Sequence, residues 1–171
     1  MQSVNKHQIV TLLNKTGSEL SKEELYQTKS MEYALIQYQA SLHRELGLNI
    51  IIIPFDEFVN NSIWNNDFNI SFVILNKTYI GICYWCYDSP EEDMESCKIY
   101  GIYIKPEHQH KGYGKLLLTH VLKQMQIKYP NVPASLGVMS NNTSALSLYK
   151  RFGFDTTVSL RLIKQQNITT G

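Results

Sequence analysis

The sequence predicts an α/β fold, a single mixed, mostly antiparallel sheet with helices on both faces. Three observations predict it. Residues 69–87 alternate with the period of two that marks strands and break once, at Asn76-Lys77. Residues 21–47 and 112–129 repeat their apolar side chains at the helical period instead. From residue 97 onward strand-like and helix-like stretches alternate, which packs most simply as helices laid on a sheet. The 171 residues suffice for one domain over residues 1–171, since a chain of about 150 residues already buries roughly 70% of its unfolded surface.

In chain order, the apolar stretch Ile9 to Leu13 reads as a first strand and Asn14 to Ser18 as a turn. Ser21 followed by Glu24 is a capping box, and Leu25, Met31, Leu35, Tyr38, Leu42 and Leu46 continue at helical spacing to Gly47, a natural helix terminator. Ile50 to Ile53 reads as a short buried segment, and Pro54 opens a second helix through Phe58 to Trp64. Ile70, Phe72 and Ile74 share one face of a strand, Asn76-Lys77 turns the chain, and Tyr79 to Tyr87 returns antiparallel. Cys97 to Ile104 is a third strand of this sheet, with Gly101 a candidate bulge. Pro106 to Lys111 is a loop. Gly112 starts a helix whose Leu117, Leu118, Val121, Leu122 and Met125 share a face and which ends near Tyr129-Pro130. Ala134 to Met139 reads as a buried strand, Thr143 to Phe152 as a helix closed by Gly153, and Val158 to Ile163 as a last strand.

Composition narrows the function classes. With 43% hydrophobic, 18% charged and 11% aromatic residues, the chain is neither disordered nor coiled-coil. No apolar run approaches the roughly 20 residues a membrane span needs, and the first ten residues lack a signal-peptide core, so an intracellular, cytoplasmic protein without membrane association is expected. The net charge of +1 conceals an asymmetry: residues 1–95 carry six Lys/Arg against thirteen Asp/Glu, residues 96–171 ten against two. The halves either attract each other or serve a polyanionic ligand on the basic side and a cationic one on the acidic side. A nucleic-acid partner would call for a larger basic excess. Cys83 and Cys86, three apart on a strand, point to opposite faces, and none of the five histidines has zinc-hydrolase spacing, so no metal site is expected.

Two segments carry chemistry. Gln109-His110-Lys111-Gly112-Tyr113-Gly114 lies between a strand and a helix, where glycines admit a ligand to free backbone N–H groups and the helix dipole favours phosphate. A Walker loop is excluded by Gln109 and Leu116, and a dinucleotide fingerprint by Leu117, which stand where those patterns need other residues. The second segment runs from Asn142 to Phe154.

Together these segments resemble the GCN5-related N-acetyltransferase (GNAT) family. Gln109 to Gly114 is similar to its pattern Q/R-x-x-G-x-G/A, and Asn142 to Phe154 to its pattern N-x-x-A-x-x-L-Y-x-x-x-G-F. The close match covers residues 96–154. The resemblance implies acetyl-CoA as cosubstrate, an amine-bearing acceptor, and a sheet splayed at the cofactor cleft. It implies that backbone near Ile102 and Ile104 pairs with the pantetheine arm, and that Gln109, His110, Lys111, Gly112, Gly114 and Lys115 hold the pyrophosphate. Asn142 would contact the arm from across the cleft, and Tyr149 would be the catalytic acid beside the sulfur. His110 stands where members often have glycine. Many members carry a glutamate base in the third strand, but Lys98 to Ile104 holds no carboxylate. The base is left open among Glu95, another carboxylate of the preceding loop, His108 acting through water, and an ordered water. Only 18 residues follow Gly153, so a second copy in a homodimer could complete one wall of the acceptor pocket. The acidic stretch Asp88 to Glu95 either is a solvated loop or draws in a cationic amine. The competing reading is a CoA-binding regulatory module without turnover.

Overall fold

The computed structural model describes residues 9–61, 68–88 and 95–155. Strand β1 (Val10–Thr16) leads through a 3-10 turn to helix α1 (Lys22–Glu45) and then α2 (Phe55–Asn61). Strands β2 (Asn69–Leu75), β3 (Thr78–Asp88) and β4 (Ser96–Ile104) follow, then helix α3 (Tyr113–Lys128), strand β5 (Ala134–Leu136) and helix α4 (Thr143–Arg151). Among the described residues the five strands form one sheet in the order β1-β2-β3-β4-β5, every pair antiparallel except β4 with β5. That is the mixed, mostly antiparallel sheet expected.

Both faces of the sheet are covered, so the period of two read over residues 69–87 is not matched by alternating burial in β2, where every residue but Ile74 is buried. Ile70 and Phe72 of β2 and Ile82 of β3 pack against Met31 of α1 on one side. On the other, Val73, Cys83, Trp85 and Ile99 meet Leu117, Leu118, Val121 and Met125 of α3 and Tyr149 of α4. Asn76 and Lys77 turn the β2–β3 hairpin with φ of 48° and 68°, as a two-residue hairpin loop requires.

Helix α1 begins as expected: the Ser21 side chain accepts the Glu24 N–H, and the Glu24 carboxylate accepts the Ser21 N–H at 2.8 Å. Glu24 is buried because Lys15 of β1 donates to it at 2.7 Å. The same bond corrects the first strand. Asn14 and Lys15 continue β1 rather than turning, since Ser71 donates to Asn14 at 2.7 Å and Glu24 receives Lys15.

Several other expectations are corrected. Ile50 to Ile53 is not buried: it is an irregular link between α1 and α2 with Ile51 91% exposed. The edge of β2 that such a segment could join is already occupied by β1. Tyr38 and Leu46 do not belong to the buried face of α1, which consists of Glu24, Thr28, Met31, Leu35, Ala40 and Leu42. The bulge in β4 is at Tyr100, because Ile99 opposes Trp85 and Gly101 opposes Tyr84. A Cβ at Gly101 would fall on the outer edge of the Tyr84 ring, so glycine lets that ring lie across the strand. The strand expected over Ala134 to Met139 stops at Leu136 and is half-buried, because only Cys97 to Ile99 of β4 lie alongside it. The expected end of the second helix at Trp64 and the last strand Val158 to Ile163 lie outside the described residues.

Candidate active-site cleft

Beyond Ile99, β4 and the chain leaving β5 part company, and a cleft of about 1810 Å³ opens between them. Its walls are the C-terminal half of α1, β4 from Lys98 to Ile104, the start of α3, residues 135–139 and the inner face of α4. The free edge of β4 is one wall. Lys105 N–H bonds to Ile80 O on the β3 side at 2.8 Å. Strand groups alternate in direction, so Tyr103 also faces β3 while Ile102 and Ile104 present their backbone groups to the cleft. One is already engaged: the Gln109 side chain donates to Ile104 O at 2.9 Å.

The start of α3 opens on the same space. Gly112 caps the helix with φ of 86°, a left-handed conformation that glycine takes without penalty. His110, where the related pattern often has glycine, is also left-handed at φ 58°, a region in which histidine is tolerated better than bulky or branched residues. The first backbone bond of the helix runs from Leu116 N to Gly112 O at 3.0 Å. The N–H groups of Tyr113, Gly114 and Lys115 therefore precede any intrahelical bond, at the positive end of the helix dipole. Gln109, His110, Gly112, Gly114 and Lys115 all line the cleft. Lys111 does not: its ammonium is turned back to Glu107 O at 2.8 Å. This donor set suits a phosphate-bearing ligand, and the open β4 edge suits an extended, amide-containing arm, so the residues present fit a coenzyme A thioester.

Across the gap, Asn142 caps α4, its Oδ1 accepting Ala145 N–H at 3.2 Å and the Tyr38 hydroxyl at 3.5 Å. Asn141 donates to Leu42 O at 3.0 Å and to Glu45 at 3.1 Å. These bonds hold the end of α1 against the start of α4. Tyr149 sits on the inner face of α4, 8% exposed, on the cleft wall and edge-on to Phe154 at 5.9 Å. Burial, with a smaller contribution from Cys83, pushes its phenol well above the ordinary tyrosine value, so it stays protonated at neutral pH.

Of the candidates for a base, Glu95 and His108 do not meet in the cleft, and Glu91, Glu92 and Asp93 of the preceding loop lie outside the described residues. Glu95 is exposed at the start of β4, and neither it nor His108 is on the cleft wall, where His108 instead stands edge-on to Tyr113 at 6.2 Å. Among the described residues no carboxylate lines the cleft, whereas His43, Lys98, His110, Lys115 and Arg151 do. Lys98 is paired with Asp88 at 3.5 Å, and Tyr100 donates to the same carboxylate at 3.3 Å. Tyr38 and His43 are wall residues that the sequence did not announce. Their helix is recognisable from its period, but no local signal says which of its faces overlooks a cleft.

Comparison with known proteins gives a concordant picture. The family model described as Acetyltransferase (GNAT) family matches residues 52–154. The ribosomal protein bS18 alanine N-acetyltransferase of Salmonella typhimurium is 27% identical over 62 residues. That match covers 36% of this chain and 41% of the relative, so the chain aligns with less than half of that protein's length. Among solved structures, the aminoglycoside N-acetyltransferase AAC(6')-Iy in complex with CoA superposes with a TM-score of 0.68 at 13% identity, covering 95% of this chain and 99% of that one. A ribosomal-protein-alanine N-acetyltransferase from Brucella melitensis biovar Abortus 2308 gives 0.63 at 13% identity, covering 92% and 100%. At such identities the structures speak to the fold alone. No helix among the described residues is long and apolar enough to cross a membrane.

Proposed function

Because the chain belongs to the GNAT acetyltransferase family, we propose that it transfers the acetyl group of acetyl-CoA to a primary amine by direct attack on the thioester. The observation that carries this reading is the junction of two features in one cleft: a β4 edge that no strand pairs beyond Ile99, with Ile102 and the Ile104 N–H open to the cleft, and the open first turn of α3 behind Gly112 and Gly114. The first offers an extended arm its strand-like hydrogen bonds. The second offers a pyrophosphate free N–H groups and a favourable dipole.

In this proposal Tyr113, Gly114 and Lys115 give their N–H groups to phosphate oxygens, with the His110 and Lys111 backbone completing the turn. Gln109 acts indirectly, fixing the loop to Ile104 O. Asn142, its Oδ1 committed to Ala145 and Tyr38, keeps its Nδ2 donor for the arm. Tyr149 keeps its proton until the coenzyme sulfur leaves and then donates it. The acceptor is an amine; the similar proteins are a ribosomal-protein-alanine and an aminoglycoside N-acetyltransferase, whose amines differ, so the class stays a primary amine.

A second reading, a CoA-binding module without turnover, is favoured by one observation: the described cleft wall carries no carboxylate to accept the acceptor's proton. One experiment separates the two. Thiol release from acetyl-CoA is followed with polyamines, aminoglycosides, amino acids and lysine-bearing peptides, alongside calorimetric binding of acetyl-CoA. Amine-dependent thiol release supports the transferase. Tight binding with no release from any amine supports the module, and no binding at all refutes both.

A further inference from the structure

We propose that His43 is the general base that takes the proton from the acceptor ammonium; this rests on the acetyl-transfer reading above. Three observations converge on it. His43 is half-buried on the α1 wall of the cleft. Its Nδ1 lies 2.8 Å from Gln39 O, one helical turn earlier. A carbonyl only accepts, so Nδ1 carries the hydrogen and the neutral ring presents an unprotonated Nε2. Finally, the other non-tyrosine titratable groups on the described wall are Lys98, His110, Lys115 and Arg151. Lysine and arginine are cations at neutral pH, and His110 sits in the loop assigned to phosphate.

Position favours His43 over His110 as well. The preceding residue, Leu42, and Glu45 just beyond bind Asn141, and Tyr38 binds Asn142. That places the end of α1 beside the residue proposed to hold the pantetheine arm, not beside the α3 loop. The remaining titratable groups sharing the cleft are Tyr38, Tyr100, Tyr103 and Tyr149, and on its own helix Arg44 and Glu45 follow, the latter engaged by Asn141.

The step balances as follows. His43 Nε2 takes one proton from the acceptor ammonium, and the freed nitrogen attacks the thioester carbonyl carbon. The C–S bond breaks with its electron pair on sulfur, the thiolate gains a proton from Tyr149, and the second proton that the nitrogen sheds as the amide forms passes through water to restore Tyr149. His43 returns its proton to solvent. The sum is ammonium plus acetyl-CoA giving amide, thiol and one released proton.

The test is the pH dependence of kcat/KM between pH 5 and 9, measured with an amine the wild type acetylates, for wild type, His43→Gln and His43→Asn. The expected wild-type profile rises through one ionisation additional to that of the free amine. Both variants should lose that limb and fall about 10²-fold in kcat/KM, with acetyl-CoA affinity by calorimetry and Tm unchanged. A wild-type profile without that ionisation overturns the assignment whatever the variants do, as does a folded variant within threefold of wild type that keeps the limb. If the wild type acetylates no amine, the transferase reading fails first, and that failure is distinct from loss of His43 as base.

Discussion

The side-chain amide of Gln109 reaches back five residues to donate to the carbonyl of Ile104 at 2.9 Å. It thereby ties the loop that opens α3 to the last residue of β4, the two elements that frame one end of the cleft. Without it the loop would be held by the 3-10 turn at Pro106–His108 and by the Lys111 ammonium on Glu107 O.

Gln109→Leu should therefore weaken acetyl-CoA binding with little change in stability. The loop loses one hydrogen bond of about 1 kcal/mol net, and the ordering it supplied must come from binding, so a five- to tenfold rise in Kd is expected by calorimetric titration. An unchanged Kd would show that the loop is held sufficiently by its other bonds.

Gly114 can be tested without destroying the fold. A Cβ there would meet Leu148 at 3.7 Å and Ile104 at 4.0 Å, ordinary contacts, so Gly114→Ala should fold and lose little affinity. Gly114→Asp adds a negative charge at the N–H groups proposed to hold pyrophosphate, and like-charge repulsion should raise Kd by more than tenfold. A folded aspartate variant with wild-type affinity would move the phosphate site elsewhere.

The local geometry of these residues was legible in the sequence because it is set within a few positions of each. A helix start with Gly112 in a left-handed turn, an Asn142 N-cap and a Tyr149 one helical turn from Phe152 all leave a mark within a few residues of themselves. The faces of α1 were not legible in the same way. The period predicts a helix, but Tyr38 and His43 overlook the cleft only because β4 and β5 diverge beneath them, a tertiary fact with no counterpart in the spacing. Ile50 to Ile53 failed for a related reason: a continuous apolar run has no phase, so nothing in it says whether a layer will cover it. The buried Glu24 was read only as half of a capping box, since its partner Lys15 stood in a stretch expected to turn.

That pair carries a stability prediction. Burial alone would raise the Glu24 carboxyl, but the bond from Lys15, the Ser21 N–H and hydroxyl, and the Lys15 charge together hold it below its ordinary value of 4.5. A carboxyl depressed in the folded state contributes stability that is present above the unfolded value and is lost as pH falls through the folded one. Thermal unfolding should show Tm falling below about pH 4.5, the onset being the ordinary carboxyl value. Lys15→Met leaves the Glu24 carboxylate buried with fewer partners. It should cost about 1–3 kcal/mol at pH 7 and flatten the acid limb, and an unchanged Tm would mean that solvent replaces Lys15.

Tyr149 decides between chemistry and packing. Its ring belongs to the core with Leu117 and Leu118 and stands edge-on to Phe154, so removing the ring would cost stability whatever its role. Its hydroxyl has no hydrogen-bond partner among the described residues, although the residue lines the cleft. Removing the hydroxyl alone should therefore leave the core intact. Burial keeps the phenol protonated across the working pH range, which is the state an acid needs before a thiolate leaves. Tyr149→Phe should consequently lower kcat about 10²- to 10⁴-fold, with acetyl-CoA affinity and Tm nearly unchanged. Because the raised phenol does not titrate near neutrality, the residual activity of the variant should keep the wild-type pH dependence below pH 9. A phenylalanine variant with wild-type kcat, measured where chemistry limits turnover, would leave Tyr149 a packing residue and assign protonation of the sulfur to water.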